Sequence, residues 1–162
     1  MRKRNLAFST VIIALFGLSI LTASSAYCQD SEINLSKGQS VYVPVYSHIF
    51  IGGRERSFFL SANLFIRNTN HKDSITILSV NYYGSDGKLV KSYLSKETAL
   101  KPMASTYFFI KKADKSGGWG ASFIVKWRSE NKVNEPLIEC VMSGALGTQA
   151  GIFLSRGIVI NK

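Results

Sequence analysis

From about residue 39 the chain settles into short apolar runs that alternate with polar positions and are broken every eight to twelve residues by turn formers. Long helical periodicity is missing, and this spacing predicts an all-β sandwich or barrel. Gln39 to Ile51 sets Val41, Val43 and Val45 on one side of a strand and Tyr42 and Tyr46 on the other. Pro44 within it cannot donate a ladder hydrogen bond, which predicts an edge position or a bulge. After the break at Gly52-Gly53-Arg54, the stretch Phe58 to Arg67 is the most regular, with Phe58, Leu60, Ala62, Leu64 and Ile66 on one face directed at the core. Asn68-Thr69-Asn70-His71 and Asp73 then carry side chains that bond their own backbone and turn the chain.

Ser74 to Tyr83, rich in β-branched and aromatic residues, runs into Gly84-Ser85-Asp86-Gly87, whose Asp-Gly pair favours a tight hairpin with positive φ. Leu89 to Leu94 is the expected returning strand. A looser segment holding Pro102 leads to Thr106–Lys112, where Tyr107 to Ile110 are apolar without interruption and fit a central strand. Beyond Ser116-Gly117-Gly118, the residues Ala121, Phe123, Val125 and Trp127 alternate with Ser122, Ile124, Lys126 and Arg128. Asn131 to Pro136 reads as a turn. Leu137–Met142 and Gly151–Ile160 complete the set, with Gly144, Gly147 and Gly151 around a flexible connection. About eight strands in about 120 residues fit an immunoglobulin-like sandwich of two antiparallel sheets; a partly open β-barrel is the alternative.

The pattern before residue 39 is different. Arg2, Lys3 and Arg4 are followed by no charged residue until Asp30, and Val11 to Leu18 is an apolar stretch that gives way to Ala23-Ser24-Ser25-Ala26. This three-part layout predicts a secretory signal peptide over residues 1–26, with cleavage after Cys28 as a second option. Residues 27–37 form a flexible N-terminal segment and residues 38–162 a single β-sandwich domain. The expected location is therefore periplasmic or extracellular. Two alternatives are an uncleaved anchor through residues 6–26 and lipidation at Cys28, against which the bulky Tyr27 argues.

Charge narrows the partners. The chain has 20 Lys and Arg against 10 Asp and Glu, and beyond residue 26 there remain 17 against 10, a net +7. An exported basic domain can meet an anionic envelope polymer, a phosphorylated glycan or anionic lipid head groups, or another exported protein; charge kept for solubility is the plainer alternative. Nucleic acid is a poor fit to that compartment. Cys140 lies in an apolar run and reads as a buried thiol without a disulfide partner.

Candidate chemistry is sparse. Neither of the two histidines, His48 and His71, neighbours a nucleophile turn, the one approach to metal-ligand spacing, His71 with Asp73, reads more readily as backbone caps than as ligands, and the acidic residues beyond residue 32 are few and scattered. No catalytic set, metal or cofactor is expected. Tyr42, Tyr46, Tyr82, Tyr83, Trp119 and Trp127 have polar handles suited to glycan stacking or protein contact, although most such rings fill a sandwich core. His48, Arg54 and Arg56 flank Gly52-Gly53 and form either an anion-binding corner or a solvated basic loop. With Tyr46 and Arg67 they make the candidate binding group, and Lys126, Arg128 and Lys132 the solvated surface. The expected function is a non-catalytic binding or structural protein of the bacterial cell envelope. The alternatives are an envelope hydrolase or transferase using His48 with Arg54, Arg56 or Arg67, and a structural subunit assembling through an edge strand.

The run Gly38-Gln39-Ser40-Val41-Tyr42-Val43-Pro44-Val45-Tyr46-Ser47-His48-Ile49 is long enough to be distinctive. So are Leu64 to Thr69, Tyr82 to Val90, Leu100-Lys101-Pro102 and Ser116 to Phe123. Together they resemble the bacterial family known as domain of unknown function 3124, over nearly all of residues 38 to 160. The resemblance implies an exported protein and a domain extent, and it carries no reaction, ligand or catalytic residue with it.

Overall fold

The structure, a computed structural model, describes residues 34–161; the expected signal peptide, its cleavage points and Cys28 lie outside the described residues. Twelve strands form among them, all paired antiparallel. Six make one sheet in the order β12 (Ile158–Asn161), β1 (Leu35–Val45), β9 (Ala121–Asn134), β5 (Ile75–Tyr83), β6 (Leu89–Ser92), with β7 (Thr98–Leu100) on the other end of β5. Four make a second sheet in the order β11 (Gln149–Arg156), β10 (Leu137–Leu146), β4 (Ser61–Arg67), β8 (Ser105–Ile110). A separate hairpin joins β2 (His48–Ile51) to β3 (Arg56–Phe59).

The two larger sheets face each other as a β-sandwich. Val41, Val43 and Val45 of β1, Phe123, Val125 and Trp127 of β9, and Ile75, Ile77, Val80 and Tyr82 of β5 meet Ala62, Leu64 and Ile66 of β4 and Ile138, Cys140 and Met142 of β10. Each fully buried large apolar side chain of this kind contributes about 1.5–3 kcal/mol. The alternation expected for Phe58–Ile66 and for Ala121–Trp127 is the alternation observed, but the single strand expected over Phe58–Arg67 is two, β3 and β4, parted at Leu60, whose amide donates to the Ser47 carbonyl instead of to a ladder.

In β5 the phase changes midway. The pairing with β9 shifts register between Ile77 and Ser79, so that Ile75 and Ile77 point inward before the shift and Val80 and Tyr82 after it. An extra residue on one strand does this because side chains otherwise alternate with a period of two.

Several strand expectations change. Gln39–Ile51 is two strands, because Ser47 leaves the ladder: its amide donates to the Gly118 carbonyl at 3.2 Å and its carbonyl accepts from the Leu60 amide at 2.9 Å. Pro44 lies on an interior strand, not an edge, and the alternative expected for it, a bulge, is met by the register shifts of β1 at Ser36/Gly38 and Ser40/Val41; β12 pairs with β1 only at Ser40–Tyr42 among the described residues, and the Pro44 carbonyl accepts from the Ser155 hydroxyl. The stretch around Phe108 is an edge strand, since among the described residues β8 pairs with β4 alone. The segment from Asn131 stays in β9 as far as Asn134. Gly144, Gly147 and Gly151 belong to a regular hairpin in which Leu146 faces Gln149 across a two-residue turn. The count rises to twelve partly because the last apolar stretch changes sheets at Gly157. A Cβ there would lie 2.5 Å from Val41 Cγ1 and 3.0 Å from the Ile138 carbonyl oxygen, so only glycine lets the chain cross between the sheets at this point.

The turn at Asn68 forms as expected. The Asn68 side-chain Nδ2 donates to the Asp73, Leu100 and Lys101 carbonyls, and the Asn70 side-chain oxygen accepts from the Lys72 and Asp73 backbone amides. At Gly84-Ser85-Asp86-Gly87 the hairpin also forms, with positive φ at Gly87 alone.

Candidate functional site

At one end of the sandwich three loops lock together: Tyr46-Ser47, Gly84–Lys88 and Asp114–Gly120. Ser85 donates to the Gly117 carbonyl through its amide at 2.9 Å and its hydroxyl at 2.8 Å, and its hydroxyl oxygen accepts from the Gly120 amide at 2.8 Å. The Ser47 hydroxyl donates to the Gly118 carbonyl. Asp114 accepts from the Ser116 hydroxyl and amide, and those bonds hold its carboxyl below the usual range. The Tyr82 hydroxyl is buried under these loops without a hydrogen-bond partner among the described residues. Burial first, then the charge of Asp114, pushes it up to about 12. Gly117 packs so closely that a Cβ would fall 1.8 Å from that hydroxyl. Three of the five segments that look distinctive in the sequence thus converge on a structural lock, while Leu64–Thr69 and Leu100-Lys101-Pro102 meet at the Asn68 turn.

The β2–β3 hairpin projects beside this lock, and its register divides the candidate residues. His48 faces Phe59 and Phe50 faces Ser57; on the opposite face Ile49 meets Phe58 and Ile51 meets Arg56. The His48 ring packs against Phe50 at 5.3 Å and Phe59 at 5.7 Å between centroids. Its Nδ1 is buried without a hydrogen-bond partner among the described residues. Phe59 also receives Lys115, whose Nζ lies 4.3 Å from the ring centroid.

Arg56 is therefore turned away from His48, and Arg54 lies in the turn between the strands. Arg67 ends β4, six residues or about 20 Å of strand beyond Ser61. There it pairs with Glu139 at 3.7 Å and covers the Phe65 ring. Tyr46 is exposed, and its amide donates to Met142 Sδ. The structure brings Tyr46, His48, Arg54 and Arg56 to one end of the molecule and leaves Arg67 apart.

The Arg56 face of the hairpin lines a cleft of about 820 Å³, walled by Ile49, Ile51 and Phe58 on one side and by Gln149, Gly151 and Phe153 of β11 on the other. Apolar walls with few polar groups are the usual make-up of a small-molecule site. No ion pair to Arg56 forms among the described residues. The sequence signal for this cleft is the unbroken triple Ile152-Phe153-Leu154 on an expected strand, which requires apolar surroundings or apolar exposure on both faces. Among the described residues no group of three His, Cys, Asp or Glu side chains is placed to hold a metal ion, and no helix is long and apolar enough to cross a membrane.

The family described as "Protein of unknown function (DUF3124)" matches residues 38–160. The chain belongs to this family. The matched DUF3124 region takes in both the loop lock and the cleft. No curated protein matches the chain. Among solved structures, "Crystal Structure of Thermotoga maritima 1070" is similar at 14% identity and a TM-score of 0.46, covering 74% of this chain and 92% of that one.

Proposed function

We propose that this DUF3124 protein is a non-catalytic binding protein of the bacterial cell envelope whose cleft beneath the β2–β3 hairpin takes an anionic amphiphile. The observation that carries the reading is the pairing of apolar walls with one arginine that has no carboxylate partner among the described residues. An acyl chain would lie against Ile49, Ile51, Phe58 and Phe153, and an anionic head would meet Arg56 through a charge-assisted hydrogen bond. Export is supported by the leader-like pattern of residues 1–26, and the net +7 beyond it raises the local concentration of anionic molecules.

The test is fluorescence displacement with a long-chain fatty acid, the alcohol of equal length and the amine of equal length. The acid should bind most tightly, and Arg56→Gln should weaken it about tenfold, as loss of a charged hydrogen bond of about 1.5 kcal/mol implies, while leaving the alcohol unchanged. Equal affinity for all three ligands, or no effect of Arg56→Gln, would sink the reading. Export is checked separately by the mass of the processed N-terminus, expected at Tyr27 or Gln29.

A further inference from the structure

The strands that border the two sheets are not equally defended. β6, β7 and β12 have four, three and four residues, and Lys91 lies within β6. β8 has six and is followed directly by Lys111 and Lys112. Short edges and lysines are the ordinary means of keeping a sheet from pairing with another chain. β11 has neither. It is eight residues long, pairs with β10 at every position without a register break, and carries one charge, Arg156, at its end. No other described strand pairs with its second side, and its outer face exposes Ile152 (76%) and Leu154 (66%), with Phe153 (38%) on the side of the cleft.

We infer that β11 is a self-association edge, where a second copy of this chain adds its own β11 antiparallel about a two-fold axis and joins the two four-stranded sheets into one of eight. The strand is complementary to itself in this arrangement. With the axis at Phe153, position 152 of each copy lies opposite position 154 of the other, so Ile152 meets Leu154 twice on the outer face. Phe153 meets Phe153 on the inner face, where the two clefts adjoin. Arg156 falls opposite Ala150, so no like charges oppose one another. Side chains keep their faces, since paired positions are all of the same parity.

Size and charge agree with this occupant. Eight residues give about 26 Å of edge, and the sandwich with its outer side chains is about 20 Å thick. The two copies together bury roughly 1,000 Å², the lower bound of specific interfaces, so the dimer is weak and concentration-dependent. Each copy carries net +7 beyond residue 26, but β11 itself is nearly neutral. Repulsion is long-range and screened by salt, and the dimer tightens as salt rises, whereas binding of a polyanion would weaken.

The experiment is sedimentation equilibrium on the full chain, exported and processed by its host cell, from about 1 to 200 μM at low and high salt. A monomer–dimer equilibrium favoured by salt is expected, weakened at least tenfold by Leu154→Lys. Leu154 is exposed, and an unchanged circular dichroism spectrum and melting temperature would show that the variant folds. Tyr107→Lys, on the same outer face but on β8, should leave the dimer unchanged. A monomer at every concentration overturns the inference and gives the edge to an extended segment of another exported protein. A dimer indifferent to Leu154→Lys overturns it too, by placing the interface elsewhere.

Discussion

Gly117 shows how one residue can be fixed by its neighbours alone. It has an ordinary backbone conformation, yet a Cβ would lie 1.8 Å from the Tyr82 hydroxyl and 2.7 Å from Ala121 Cβ. Tyr82 and Ala121 are themselves buried and cannot withdraw. Gly117→Ala should therefore cost about 1–3 kcal/mol, the usual penalty of overpacking. Urea unfolding checks this, and Gly53→Ala, at a position with nothing within 4 Å of the added Cβ, is the control expected to change stability by less than about 0.5 kcal/mol. Equal effects at the two sites would mean that the lock around Tyr82 is looser than described. His48 shows the opposite case: its histidine chemistry is what a sequence advertises, but its neighbours are Phe50 and Phe59.

At the level of elements, β5 separates what alternation can and cannot reveal. A period of two from Ile75 and Ile77 continues to Ser79, Asn81 and Tyr83, whereas the observed inward residues are Val80 and Tyr82. Val80→Ala should cost about 2 kcal/mol from two lost methyl groups and the cavity they leave. Asn81→Ala, on the outer face, should cost less than about 1 kcal/mol. Denaturation midpoints compare the two, and a reversed order would show that the register shift is misplaced. The inward residues of Phe58–Ile66 and of Ala121–Trp127 were legible because alternate side chains are buried in one core, but the division of the first stretch at Leu60 into β3 and β4 was not. The breaks at Ser47 and Gly157 were not legible. Both depend on hydrogen bonds to residues distant in sequence, Gly118 and Ile138. The same limit applies to the cleft: residues 49–58 and 149–153 meet only because β10 returns beside β4 and carries β11 with it. That His48 and Arg56 occupy opposite faces follows from hairpin register, which their spacing in the sequence does not reveal.

On the scale of the whole molecule, among the described residues each larger sheet contributes one buried ionisable group to the shared core: Tyr82 from the six-stranded sheet and Cys140 from the four-stranded one. Burial pushes Tyr82 from 10.0 and Cys140 from 9.0, each up to about 12. A raised folded-state value means that the neutral form is favoured by folding. The stability this gives is complete below the unfolded value and is lost as pH rises toward the folded one. The sandwich should accordingly be insensitive to pH from 7 to 8.5, as far as these groups decide, and weaken between about 9 and 12. Cys140 alone accounts for about 2 kcal/mol of that loss at about pH 10.5. Cys140→Ala isolates the effect. Near neutral pH the variant should be less stable by about 1–2 kcal/mol, because it leaves a small cavity beside Leu64 and Met142. Its alkaline decline should be shallower, so the gap to wild type closes as pH approaches 10.5. Denaturant unfolding at several pH values measures that gap directly. A gap independent of pH would mean that the thiol does not titrate with unfolding. Because the two sheets share one core, loss at Cys140 should lower the stability reported by Trp127 fluorescence in the opposite sheet by the same amount.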